Sequence, residues 1–109
     1  MKVLATVKPV FYLDNKHNYA YLIEVDVKKG EILRELKIPA ASYHTKDGFM
    51  NNFAQGLTVY DKKIYISYWN FIAIVDYDSF KVIDAFSHPL MSDVHGIACD
   101  KNRLFAAST

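Results

Sequence analysis

The chain alternates short apolar runs with polar punctuation, and nowhere does it keep apolar residues at helical spacing between a capping residue and a stop. Tyr19–Val27 (YAYLIEVDV) and Lys63–Trp69 (KIYISYW) concentrate β-branched and aromatic residues, the composition that suits a pleated, half-buried strand. Gly30, Gly48, Gly56 and Gly96 fall at loop or strand-start positions. The pattern predicts an all-β protein.

The apolar runs also repeat. Gly56–Trp69 (GLTVYDKKIYISYW) aligns without gaps on Gly96–Thr109 (GIACDKNRLFAAST), forty positions later. Tyr21–Pro39 (YLIEVDVKKGEILRELKIP) aligns on Phe71–Pro89 (FIAIVDYDSFKVIDAFSHP), fifty positions later, with Asp26 on Asp76 and Pro39 on Pro89. One insertion of ten residues between Pro39 and Gly56 accounts for the difference between the two offsets. A unit near forty residues built from four short strands is what a β-propeller blade requires, because each blade is a small twisted sheet whose faces are buried by its neighbours. In the complete unit the innermost strand is expected over Gly56–Tyr60, the second over Lys63–Tyr68, the third over Phe71–Tyr77 and the outermost over Lys81–Phe86. Asp61-Lys62 and Asp78-Ser79 are the expected hairpin turns.

The expected fold is therefore about two and a half four-stranded antiparallel blades of a β-propeller in an incomplete ring. Blade 1 falls over about 1–39, an inter-blade insert over 40–54, blade 2 over about 55–89 and the start of blade 3 over about 94–109. The first strand, Val3–Val7, resembles Leu104–Ser108, so the chain is expected to start in mid-blade. A closed ring takes roughly four to eight blades. Two expectations follow: the remaining blades come from a longer chain, or several copies assemble into one ring.

The pattern of inner strand, Asp-Lys turn, I-Y-I-S and then I-V-D resembles the blades of NHL, YVTN and lactonase-type propellers, over nearly the whole chain. That resemblance implies architecture more than activity, since the group spans lactonases, lyases, cyclotransferases and interaction scaffolds. Phe53–Leu57 (FAQGL) is similar to the innermost-strand start of plant-type glutaminyl cyclotransferases, and Val94–Ile97 (VHGI) to the His-Gly-Ile segment of streptogramin lyase-type propellers. The acidic residues that would complete either family's site have no counterpart that can be placed here, so no catalytic role is carried over.

Charge narrows the partners. Thirteen basic residues against twelve acidic ones leave a formal charge of +1, and basic residues nowhere cluster beyond a pair. No nucleic-acid footprint is expected from such a balance. No run approaches the roughly 18 apolar residues of a membrane span, and the first ten residues are too short in apolar content for a signal peptide. Cys99 is the single cysteine, which rules out an internal disulfide and agrees with a reducing, cytoplasmic location.

Candidate chemistry gathers where innermost strands begin, since those residues line one mouth of a propeller channel. Gln55 and His95 occupy equivalent positions, each directly before an aligned glycine. Both offer hydrogen-bonding groups to a ligand, and His95 is the candidate general base or metal ligand, its ordinary pKa lying near working pH; the alternative is a polar residue that satisfies loop carbonyls. Asp93, two residues upstream, is placed to orient the imidazole. The insert leads straight into Gln55 and offers His44, Asp47, Asn51 and Asn52 as polar candidates, with Tyr43 and Phe49 as an apolar wall, or else it is a packed loop whose aromatic residues cover a neighbouring blade. No spacing of His, Cys or carboxylates specifies a metal, and no cofactor is named. Asp26 and Asp76 recur at equivalent positions and are expected to brace turns rather than to act as a catalytic pair. Cys99 aligns with Val59 and is expected to be an inert, buried inner-strand side chain, Trp69 and Asn70 to serve packing and a turn, and His88 to lie on the surface.

Three functions remain open on the sequence: a propeller that binds or transforms a small polar ligand at its channel mouth, a protein-interaction scaffold, or a truncated piece with no activity of its own.

Overall fold

The computed structural model describes residues 1–7, 19–39, 54–68 and 70–108. These form nine strands in three antiparallel sheets: β1 (Lys2–Val7), β2 (Tyr19–Asp26) and β3 (Glu31–Pro39) in the first, β4 (Leu57–Tyr60), β5 (Lys63–Ser67), β6 (Phe71–Asp76) and β7 (Lys81–Ser87) in the second, β8 (Val94–Cys99) and β9 (Leu104–Ser108) in the third. Each sheet is a meander in which sequence neighbours pair. The chain is all-β with the sheet architecture of propeller blades, as its repeat implies, and the sheets remain open.

Local chemistry sets the turns. Asp61 and Lys62 both have positive φ, 48° and 58°, which makes the β4–β5 connection a two-residue turn whose twist matches its flanking strands. The β2–β3 and β6–β7 connections share a different design. Asp26 Oδ1 accepts from the N–H groups of Lys28 and Lys29 at 3.0 and 3.1 Å, and Asp76 Oδ2 accepts from that of Ser79 at 2.7 Å. Each turn closes on a left-handed residue, Gly30 (φ 67°) or Phe80 (φ 56°), whose N–H donates to the carbonyl of the same aspartate at 2.8 or 2.9 Å. The two aspartates are turn braces, as their recurrence suggests.

A phenylalanine in the left-handed region is strained. Phe80 is held there by burial, with 8% of the residue exposed and its ring centre 4.2 Å from the Arg34 guanidinium.

β3 and β7 also share an irregularity. Register runs Glu24↔Arg34 and then Val25↔Ile32, leaving Leu33 as the extra residue; Ile74↔Asp84 and Val75↔Val82 leave Ile83 in the equivalent place. A bulge at the same point of both outermost strands sharpens their twist and blunts an edge that would otherwise invite pairing.

The core lies between the first and second sheets. Ala20, Leu22 and Ile38 meet Ile64, Ile66, Tyr68, Phe71, Ala73, Val75 and Phe80 in one buried cluster, with the Tyr68 and Phe71 rings stacked at 4.3 Å. Each fully buried aliphatic side chain there contributes about 2 kcal/mol. β6 is buried on both faces, with Phe71, Ile72 and Ala73 at 1% exposure. Its continuous apolar reading is what a strand sandwiched on two sides requires. The third sheet packs through β8 onto β4 and β5.

One polar cluster bridges the first two sheets. Arg34 donates from Nε and Nη2 to the two Glu24 oxygens at 3.1 and 3.0 Å, and the Tyr77 hydroxyl donates to Glu24 Oε2 at 3.0 Å. A further Arg34 nitrogen donates to the Tyr77 carbonyl, and the guanidinium lies 4.8 Å from the Tyr77 ring centre. Glu24 is 4% exposed. The hydrogen bonds from Arg34 hold its carboxyl below the usual range against the opposing effect of burial, and Tyr77 lowers it further.

Candidate functional site

β4 and β8 bring their leading ends together because a glycine leaves no side chain between them. A Cβ on Gly56 would sit 2.4 Å from the His95 carbonyl oxygen and 3.1 Å from Ser67 Oγ. Ser67, fully buried at the end of β5, fastens the β4 start: its Oγ accepts from Gly56 N–H at 2.9 Å and donates to the Gly56 carbonyl at 3.3 Å. Its backbone carbonyl accepts from Gln55 N–H at 2.9 Å. Gln55 is thereby held beside the segment that opens β8.

That segment aims two polar side chains the same way. Val94 is fully buried and anchors the strand, so Asp93 and His95 on either side of it alternate outward. Asp93 takes a left-handed φ of 51°. The β8–β9 register passes from Val94↔Ser108 to Gly96↔Ala107, which leaves His95 as the unpaired bulge residue, an arrangement that re-aims a side chain.

The outcome is a compact polar group. His95 Nε2 lies 2.7 Å from Asp93 Oδ1, and Gln55 Nε2 donates more weakly to the same oxygen at 3.5 Å. The side chains of His95 and Asp93 are 58% and 24% exposed. In its neutral form His95 then carries its proton on Nε2, which leaves Nδ1 as an acceptor. Gln55 Oε1 is buried with no hydrogen-bond partner among the described residues.

Gln55, Asp93 and His95 are thus brought together, whereas the other named candidates, His44, Asn51 and Asn52, lie outside the described residues, as do Tyr43, Asp47, Phe49 and Trp69. Among the described residues no group of three or more His, Cys, Asp or Glu side chains gathers as a metal site. Cys99 ends β8 half-buried rather than fully enclosed, and burial, then Asp100, push its thiol pKa up, away from the nucleophilic thiolate. His88 is exposed, and its Nδ1 accepts from Leu90 N–H at 3.1 Å. Asn70 is buried at the β5–β6 bend, and its carbonyl accepts from the Ser87 hydroxyl.

Sequence reasoning missed several features. Ser67 as the fastening residue left no signal beyond its place in an apolar run. Glu24 did leave one: a carboxylate stands where the repeat places Ile74. Asp100 is a third turn brace, accepting from the N–H groups of Asn102 and Arg103 at 3.0 and 2.9 Å and pairing with the Arg103 guanidinium at 2.9 Å. At that far end of β4 and β8, an open cleft of ≈ 300 Å³ is bordered by Tyr60, Lys63, Tyr65, Lys101 and Arg103.

No family model matches the sequence, and no curated protein matches it. Among solved structures the chain is similar to the crystal structure of Sqt1 from Saccharomyces cerevisiae, a WD40 β-propeller protein, with a TM-score of 0.62 at 16% identity. The match covers 94% of this chain and 28% of the Sqt1 chain. At that identity the likeness speaks for fold alone, and it agrees with the strand order, the turns and the repeat: this chain has the fold of a run of β-propeller blades.

Proposed function

We propose that this chain is the part of a β-propeller that binds a small polar ligand where β4 and β8 begin, with Gln55, Asp93 and His95 as the ligand-facing residues and His95 as the group able to accept a proton. The observation that carries the reading is the Asp93–His95–Gln55 cluster, in which one carboxylate orients two neighbouring side chains and the His95 ring stays 58% exposed. Catalysis by His95, with Asp93 holding the ring, is the finer form of the same proposal. The resemblance of the blades to NHL, YVTN and lactonase-type propellers supports it, since that group includes ligand-binding members. The lone Cys99 supports a reducing, cytoplasmic setting. No helix among the described residues is long and apolar enough to cross a membrane. His44, Asn51 and Asn52 join the proposal as further ligand contacts, and the remaining blades are supplied by a longer chain or by further copies.

The test is a titration of the 109-residue chain with a panel of small polar compounds, read at the His95 ring by NMR. A saturable shift that is lost in Gln55→Ala is expected. A ring that no compound moves favours a scaffold, the reading supported by the equivalent exposed pairs Ile32-Leu33 and Val82-Ile83 on the outermost strands. Partner binding would then respond to charge placed at Leu33 or Ile83.

A further inference from the structure

We infer that the cleft between the turns of the second and third sheets binds a small phosphate monoester, at a site separate from the cluster at His95. Its volume, ≈ 300 Å³, is at the small end of the range of ligand clefts. The Asp61-Lys62 turn with its flanking residues walls one side, and the Asp100–Arg103 turn walls the other. In both sheets the chain leaves the described residues only at the opposite end, beyond Leu57, Ser67 and Ser108. Both turns that form the cleft are therefore described in full.

The lining is rich in donors, and its carboxylates do not cancel them. Asp100 is engaged within its own turn: Oδ1 accepts from the N–H groups of Asn102 and Arg103 at 3.0 and 2.9 Å, and Oδ2 accepts from Arg103 Nε and Nη2 at 3.1 and 2.9 Å. Arg103 Nη1 is left uncommitted among the described residues. Lys62 pairs with Asp78 at 3.3 Å, whereas the exposed Lys63 and Lys101 have neither a hydrogen bond nor an ion pair among the described residues. The hydroxyls of Tyr60 and Tyr65 can donate as well. Asp61 is the one lining carboxylate without a partner among the described residues. Two whole positive charges and a guanidinium N–H thus face one negative charge.

The form of these donors selects the anion. A planar carboxylate is best held by the paired N–H groups of a guanidinium, and that fork already holds Asp100. What remains are single donors on separate stems, contributed by two sheets. Such donors suit a phosphate, whose terminal oxygens accept from different directions and which carries close to two negative charges near neutral pH. The cleft has room for more than the phosphate group, and the half-buried Tyr65 and Leu104 give the remainder of the ester an apolar wall.

The experiment is an NMR titration of the 109-residue chain with phenyl phosphate at about pH 7.5, above the second phosphate pKa, and at low ionic strength. The backbone amides of Asp61–Lys63 and Asn102–Arg103 report the cleft, and the His95 ring protons serve as the control at the opposite end. A saturable shift of both turns with His95 unmoved is the expected result, with benzoate, a planar carboxylate of similar size, binding more weakly. Lys63→Gln and Lys101→Gln should each weaken the affinity about fivefold, the effect of one exposed charge contact. Asp61→Asn should tighten it by a similar factor, and asparagine tolerates the left-handed backbone there. All three side chains are exposed, so the variants keep the fold. No saturable shift with phenyl phosphate, a shift confined to one turn, or benzoate binding as tightly would overturn the inference. So would an affinity that none of the three charge changes alters. The small-ligand reading at His95 stands or falls separately.

Discussion

Gly56 and Gly96 are equivalent in the repeat, yet the structure treats them differently. A Cβ at Gly56 would strike the His95 carbonyl at 2.4 Å, whereas one at Gly96 meets only the Ala107 Cβ at 3.9 Å, an ordinary contact. Gly56→Ala should therefore force the two strand starts apart and cost about 2 kcal/mol, while Gly96→Ala should leave stability nearly unchanged. Urea denaturation of both variants checks this, and equal losses would mean that the close approach of β4 to β8 is wrong. The aligned glycines did make the positions of Gln55 and His95 legible in the sequence, and Asp93 followed from its nearness to His95. What the sequence did not reveal is how they meet. The meeting depends on Ser67, which fastens the start of β4 from the neighbouring strand β5, and on a bulge that turns His95, neither of which leaves a local pattern.

At the scale of strands and turns, the apolar runs placed the elements of the second sheet to within a residue or so, because the runs are bounded by turn chemistry that acts locally, at Asp61-Lys62 and at Asp76. The bulges at Leu33 and Ile83 were not read, although each sits in an adjacent apolar pair that breaks the alternation of its strand. Nor was the Glu24–Arg34–Tyr77 bridge, which depends on residues from two sheets. It makes two predictions. Removing the cation alone by Arg34→Met leaves a buried carboxylate uncompensated and should cost about 3 kcal/mol, and a double change that also makes Glu24 a methionine should recover most of that loss, both read by urea denaturation. Glu24 also sets a pH dependence. Its folded pKa lies below the ordinary value of 4.5, so the stability it supplies is present above that value and is lost as pH falls through the folded pKa. Asp76 and Asp100, lowered chiefly by the turn N–H groups of Ser79 and Asn102, slope the same way. The difference between the wild-type chain and Glu24→Gln isolates the bridge: the variant should lose less stability on acidification below pH 4.5, and identical acid profiles would show that the carboxylate is not paired.

Across the whole molecule, the second sheet is covered on both sides and the outer two are not. β1 and β9 each have one edge with no strand beside it among the described residues. Ile97, Ala98, Leu104, Phe105 and Ala106 line an open, largely apolar depression on the third sheet, and Phe105 is 50% exposed. A two-stranded hairpin with such a face is marginal alone and buries it only against more polypeptide. The 109-residue chain in isolation should show a light-scattering mass that rises with concentration, and Phe105→Lys should lower it. A concentration-independent monomer would contradict that exposure. The repeat made this stacked architecture legible before any coordinate, since period and strand count are properties of the sequence alone. We propose that β4 and β8 open adjacent blades; the two strands meet at Gly56 and His95. An isotope-edited NOESY spectrum of the chain reads that contact. Cross-peaks between Gly56 and His95, together with those of the Val59–Ile64 and Ala98–Phe105 pairs, are the predicted result. The two hairpins present with no cross-peak between Gly56 and His95 would contradict the adjacent-blade arrangement and the site built on it.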